Sequence, residues 1–129
     1  MIVKASAKSV RISPRKVGVV AALVRGRTLS DAIAILEHTP RSSALPLKKL
    51  MESAKANALH NYNLVEDSLK LKSINVTPGP RLKRYRPAAH GRALPYEKKS
   101  SHIYVEVDGH EKVKKKPATK KIEDKKESK

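Results

Sequence analysis

The side chains with the most to offer chemically in this sequence are its arginines and lysines, and their grouping points to phosphate. Between Pro78 and His102 stand Arg81, Lys83, Arg84, Arg86, Arg92, Lys98 and Lys99, against one acid, Glu97. The planar arginine fork grips a phosphate in two places and stacks on bases, whereas lysine acts as a mobile point charge. A second group lies near the start: Lys8, Arg11, Arg15 and Lys16 bracket Ser13-Pro14, with Arg25 and Arg27 further on. A helix opening at Ser13 would set free N–H groups beside these cations, a ready phosphate site. Arg25, at the far end of that helix, could equally complement the helix dipole.

Enzymatic chemistry has no such grouping. The sequence contains no Walker loop, no dinucleotide glycine fingerprint and no HExxH pattern. His38, His60, His90, His102 and His110 are scattered. Spacing would let His60 pair with Glu52 or Glu66, and Glu66-Asp67 reads as a solvated turn rather than a metal ligand set. The absence of cysteine excludes disulfide scaffolds and thiolate zinc sites. No catalytic residue, metal or cofactor is therefore expected. No apolar run approaches the roughly 20 residues of a membrane span, and the first residues lack the apolar stretch of a secretory signal.

Across 129 residues, 29 Lys and Arg oppose 12 Asp and Glu, a net charge of +17. Such a balance implies a polyanionic partner inside the cell. The charge is unevenly spread: +8 over residues 1–77, +6 over 78–102, −2 over 103–109 and +5 over 110–129. The last segment draws its positive charge from lysine alone, set among Ala, Thr, Ser and Pro with no apolar period. It reads as a disordered tail, either a passive solubiliser or a loose phosphate contact.

Hydrophobic periodicity supplies the elements that must position these groups. Val3, Ala5 and Ala7 alternate with Lys4, Ser6 and Lys8, which predicts a strand over residues 2–11. Ser13 is a good N-cap, and Pro14 suits the first helical position. Val17, Val20, Ala21 and Val24 then form one stripe, closed by Gly26. Ser30 is expected to cap a short second helix that buries Ile33 and Leu36 and stops at Pro40. A third helix should begin near Ser42 or Ser43, with Pro46 in its first turn. It buries Leu47, Leu50, Met51, Ala54 and Ala58 and ends at Asn61-Tyr62-Asn63. Leu69, Leu71, Ile74 and Val76 form a second strand whose alternation slips at Lys72-Ser73, predicting a bulge or an edge. Ile103, Val105 and Val107 form a third, with Asp108-Gly109 as its closing turn. The pattern is an α+β fold: three helices packed on a small three-stranded antiparallel sheet. It forms one domain over residues 1–109, followed by the Lys-rich tail of 110–129.

The basic insert, about residues 78–101, separates two strands that should pair. It is rich in Pro and Gly and has only Leu82 and Leu94 as large aliphatics. It is either a disordered loop or a β-ribbon projecting from the body. Arms of about 12 residues would let a ribbon reach on the order of 40 Å. A lone two-stranded ribbon is marginal in water, so it would need a partner to hold it. Tyr85 and Tyr96 would stack on bases or pair across the ribbon.

Several motifs, in order, resemble the universal large-subunit ribosomal protein family number twenty-two, of bacterial type. They are Ser13-Pro14-Arg15-Lys16-Val17, Leu23-Val24-Arg25-Gly26-Arg27, Ala32-Ile33-Ala34-Ile35-Leu36 and Ser53-Ala54-Lys55-Ala56-Asn57-Ala58. Gly79-Pro80, Lys83-Arg84, Arg86-Pro87, Gly91-Arg92-Ala93 and Ser101-His102-Ile103 follow. The resemblance spans about residues 2–108. It implies a long protruding β-hairpin that threads into large-subunit rRNA and lines the nascent-peptide exit tunnel. The body would sit on the outer part of the subunit, near the peptide exit, and help organise rRNA folding during assembly.

On this resemblance the rRNA-binding residues would be Lys8, Arg11, Ser13, Arg15, Lys16, Arg25, Arg27, Arg81, Lys83, Arg84, Arg86, Arg92, Lys98 and Lys99. The tunnel-lining tip would be Pro87, Ala88, Ala89, His90, Gly91 and Arg92. Partners would be large-subunit rRNA, neighbouring large-subunit proteins and, transiently, the nascent peptide, in the cytoplasmic ribosome. No homo-oligomer is expected. Family tips often read Pro-Arg-Ala-Lys-Gly-Arg-Ala, whereas Ala88 and His90 here remove one cation and make another position titratable. Three other classes remain as alternatives to a ribosomal protein. They are a general nucleic-acid-binding protein, a membrane-surface protein using the Lys tail, and a metal-dependent nuclease.

Overall fold

The structure, a computed structural model, describes residues 1–111. The Lys-rich tail, apart from His110 and Glu111, lies outside the described residues. Strand β1 (Ile2–Val10) leads into helices α1 (Pro14–Val24), α2 (Leu29–His38) and α3 (Ala44–Tyr62). Strands β2 (Lys70–Pro78), β3 (Leu82–Pro87), β4 (Ala93–Lys98) and β5 (Ser101–Asp108) follow. The body sheet is three-stranded in the order β1-β5-β2, antiparallel throughout, and β3 with β4 forms a separate two-stranded sheet. The α+β arrangement of three helices on one small antiparallel sheet is the one that the periodicity predicts.

The helices cover one face of the sheet. Val3 and Ala5 of β1, Leu71 and Ile74 of β2, and Ile103, Val105 and Val107 of β5 point into a common core. There they meet Val17, Val20, Ala21 and Val24 of α1, Leu29, Ala32 and Leu36 of α2, and the stripe from Ala44 to Ala58 of α3. The core is aliphatic apart from Met51: the chain has no Phe or Trp, and none of its four Tyr is buried.

Local chemistry explains where the boundaries fall. Ser13 occupies the N-cap of α1 without a hydroxyl cap bond; its carbonyl instead accepts from Lys16 and Val17 at 3.0 and 3.2 Å. Helix α2 is capped by Thr28, not Ser30. The Thr28 hydroxyl accepts from the Asp31 N–H at 3.3 Å and donates to the Asp31 carboxylate at 2.7 Å. Starting there also sends Leu29 into the core, whereas Ile33 is only half-buried. Asn63 ends α3 in the left-handed conformation, with the Leu64 N–H reaching back to the Ala58 carbonyl at 3.1 Å. Gly26 (φ 77°) does the corresponding work after α1.

The slip at Lys72-Ser73 is a register shift in β2, which is also a sheet edge. A second shift lies in β1 between Ala7 and Val10, where Ser9 adopts φ 57° and donates its N–H to His102 Nδ1 at 2.9 Å. At the other end of the sheet the Val65 N–H donates to the His110 carbonyl and the His110 N–H to the Ser68 hydroxyl, at 2.9 and 3.0 Å.

One rung on the open face of the sheet ties all three strands. Glu106 of β5 accepts from the Ser73 hydroxyl of β2 at 3.0 Å and pairs with Lys4 of β1 at 3.3 Å. The Ser73 bond, and then Lys4, hold its carboxyl below the ordinary value of 4.5. A carboxylate whose folded value is depressed contributes stability that is present above its unfolded value and lost as pH falls through the folded one. Glu106→Gln should therefore lower the urea midpoint at pH 7. The gap to the wild type should close as pH falls well below 4.5; a gap that persists or widens in acid contradicts this role.

Candidate nucleic-acid interface

The basic insert is a ribbon rather than a structureless loop. Its rungs run from Leu82–Lys98 to Pro87–Ala93. Each strand has six residues, about 20 Å of regular pairing. The rest of the insert is spent at the two ends. At the tip, Ala89–Gly91 form a 3₁₀ turn with His90 at φ 58° and Gly91 at φ 70°, closed by the Ala88 N–H donating to the Arg92 carbonyl at 2.7 Å. At the root, the Gly79 N–H donates to the Ser100 carbonyl at 2.9 Å. Two residues, Pro80 and Arg81, then oppose the single Lys99 before pairing resumes at Leu82–Lys98. The Ser100 hydroxyl donates to the Pro80 carbonyl at 2.6 Å and secures this bulge.

No residue from Pro80 to Lys99 is buried. Residues directly paired across an antiparallel ladder share a face, so the register sorts the ribbon chemistry. One face carries Leu82, Arg84 and Arg86 opposite Lys98, Tyr96 and Leu94, without an acid. The other carries Lys83 opposite Glu97, and then Tyr85, Pro87, Pro95 and Ala93, which are uncharged. Arg86 stacks on Tyr96, its guanidinium 4.8 Å from the ring centroid. Both tyrosines sit on rungs of the ribbon, Tyr85 opposite Pro95 and Tyr96 opposite Arg84, and Tyr85 is the more open, 68% exposed. Which cations share a face depends on the register, which composition does not specify.

The structure gathers much of the amino-terminal cation group at the ribbon root. Val10 at the end of β1 and Pro78 at the end of β2 both pair with Ser101, so Arg11 and α1 begin where the ribbon leaves the sheet. A cleft of about 320 Å³ is lined there by Ser13, Pro14, Arg15, Pro78, Gly79, Arg81, Lys99 and Ser100. Lys8 and Lys16 are exposed on the elements that flank it. The α1 terminus itself offers less than the sequence suggests. Pro14 has no N–H, and those of Lys16 and Val17 are engaged by Ser13, so side-chain charge is the main resource.

Arg25 and Arg27 stand apart from this cleft, about 15 Å away at the other end of α1. Arg25 donates to the Ile74 carbonyl at 3.3 Å and Arg27 to the Leu23 carbonyl at 3.3 Å. Both bonds are structural. The Leu23 carbonyl belongs to the last turn of α1, so it is Arg27 that makes the contact favoured by the helix dipole. His60 is not the partner of Glu52 or Glu66; these carboxylates pair with Lys48 and Lys55. Among the described residues no three His, Cys, Asp or Glu side chains gather as a metal site, and no helix is long and apolar enough to cross a membrane. The arrangement can bind extended polyanions along a ribbon and at its base.

Since the ribbon contributes nothing buried, deleting Leu82 to Leu94 should leave the body folded, with a melting temperature within a few degrees of the wild type. Loss of cooperative unfolding in that variant would show that ribbon and body are one unit.

Comparison with known proteins gives concordant matches. The family model of ribosomal protein L22p/L17e matches residues 5–108. Two proteins named large ribosomal subunit protein uL22, from Desulfitobacterium hafniense strains Y51 and DSM 10664 / DCB-2, are similar to this chain. Each is 52% identical over 104 residues, covering 81% of this chain and 91% of the relative.

Proposed function

Because this chain belongs to the L22p/L17e family of ribosomal proteins, we propose that it binds large-subunit rRNA through its ribbon and the cationic cleft at the ribbon root. Membership makes the protein a structural constituent of the large ribosomal subunit, in the cytoplasmic ribosome, and not an enzyme. The finer reading assigns the contacts. Arg84, Arg86 and Lys98 take phosphates along one ribbon face, with Lys83 and Arg92 adding charge. Lys8, Arg11, Ser13, Arg15, Lys16, Arg81 and Lys99 form the grip where ribbon and body meet. Arg25 and Arg27 add a secondary patch, limited by their carbonyl bonds.

The tip, Pro87 to Arg92, lines the nascent-peptide exit tunnel and touches the passing chain. Three features support this: the resemblance in motif order, the exposure of the tip, and small Ala88, Ala89 and Gly91, which suit a confined space. Neighbouring large-subunit proteins meet the body, and ordering of the ribbon on rRNA assists subunit assembly.

The observation that carries the reading is the ribbon itself: cationic, paired, and with no buried residue to stabilise it alone. Binding to large-subunit rRNA should weaken steeply with salt, and each phosphate contact removed should lower the log–log slope by about 0.7–0.9. Arg84→Gln with Arg86→Gln should reduce the slope by about 1.4–1.8 in total, while Lys49→Gln, on the outer face of α3, should leave it unchanged. Salt-independent binding would contradict the reading. Equal affinity for arbitrary duplex DNA would favour a general nucleic-acid binder.

A further inference from the structure

We propose that the cleft at the ribbon root is a seat for one RNA phosphodiester group, held jointly by Arg15, Arg81 and Lys99. The inference rests on the RNA-binding reading and names a discrete site within it. The three cations come from three separate segments: the first turn of α1, the β2–β3 link and the β4–β5 link. No carboxylate lines the cleft. Arg81 has one acidic neighbour, Glu97, at 3.5 Å; the Arg81 side chain is well exposed and that of Glu97 about a third exposed, so the pair is weak and readily exchanged.

Three cationic residues lining one cleft without a carboxylate in its wall repel one another, and an anion relieves that repulsion. The remaining lining is small: Ser13, Pro14, Pro78, Gly79 and Ser100. A volume of about 320 Å³ lies at the low end of the range for small-ligand sites, about 300–1,000 Å³. It suits a phosphate with part of its flanking ribose better than a base pair or a helix. A Cβ on Gly79 would sit 2.7 Å from the Ser100 hydroxyl oxygen and 3.3 Å from the Ser100 carbonyl carbon, so this part of the lining is closely packed. Because α1 belongs to the body and the two links belong to the ribbon, a phosphate held here bridges the two parts.

The test uses the full chain. In an NMR titration with inorganic phosphate, the amides of Arg15, Gly79, Arg81, Lys99 and Ser100 should shift together along one saturable curve. The triple variant Arg15→Gln, Arg81→Gln, Lys99→Gln should abolish it. A control triple of equal charge, Lys49→Gln, Lys70→Gln, Lys72→Gln, should preserve it. At fixed physiological salt the cleft variant should bind large-subunit rRNA about tenfold more weakly than the control, the loss expected of one charge-assisted contact. Native-like amide spectra for both variants establish that they fold. Non-saturating shifts spread over the basic surface, or equal RNA affinity for the two variants, would overturn the site while leaving RNA binding intact. Failure of the wild type to bind rRNA would remove the broader reading and this site with it.

Discussion

Only a strand flanked on both sides has ladder partners for all its backbone N–H and C=O groups, and in the body of this fold β5 alone is so placed. Its inner half supplies Ile103, Val105 and Val107 to the core, each fully buried. Upstream of Ser101 the supply of apolar side chains stops and the chain becomes Lys98, Lys99 and Ser100. Backbone pairing resumes along the ribbon, but burial does not. The body is stabilised by a compact, largely aliphatic core, whereas the ribbon has hydrogen bonds, a cation–π contact and no buried side chain. A lone two-stranded ribbon of this kind is marginally stable in water. Its lasting order has to come from what it touches.

The distribution of charge fits that division. On the body several lysines have carboxylate partners: Lys4 with Glu106, Lys48 with Glu37 and Glu52, and Lys55 with Glu66. Among the described residues, Lys8, Arg11, Arg15, Lys16, Arg84, Arg86 and Arg92 have none. A net charge of +17 works against compaction unless counter-charge is supplied from outside. These seven sit along the ribbon and around its root, where an RNA backbone would neutralise them with little rearrangement of the body; Arg25, Arg27, Arg41, Lys49, Lys70 and Lys72, elsewhere on the body, also lack a carboxylate partner among the described residues. The stack of Arg86 on Tyr96 and the bulge at Pro80-Arg81 hold part of this surface in place beforehand.

Much of the fold was legible because it follows from periodicity. The alternation of Ile103, Val105 and Val107, the stripe from Val17 to Val24 and that from Leu47 to Ala58 each specify an element and the face it buries. The slip at Lys72-Ser73 was legible as a bulge for the same reason. What escaped depends on competition between equivalent signals or on contacts distant in sequence. Thr28 and Ser30 are both good N-caps, and the burial of Leu29 decides between them. Ser13 looks like a capping hydroxyl, yet its carbonyl does the work. The ribbon arms are shorter than their residue count because a left-handed turn at His90-Gly91 and a bulged root consume chain. The convergence of Arg15 with Arg81 and Lys99 needs the sheet register, since Val10 and Pro78 meet only through Ser101. Arg25 looked like part of one basic group but spends a donor on the Ile74 carbonyl, a partner no local pattern reveals.

The most direct measure of whether the ribbon depends on its partner is amide hydrogen exchange, compared between the free chain and the chain bound in large subunits. Amides of Lys83 to Glu97 should exchange far faster than those of Ile103 to Val107 in the free protein and become strongly protected in the particle, with the β5 amides little changed. Ribbon amides as protected as β5 in the free chain, or still exchanging freely in the particle, would contradict the account.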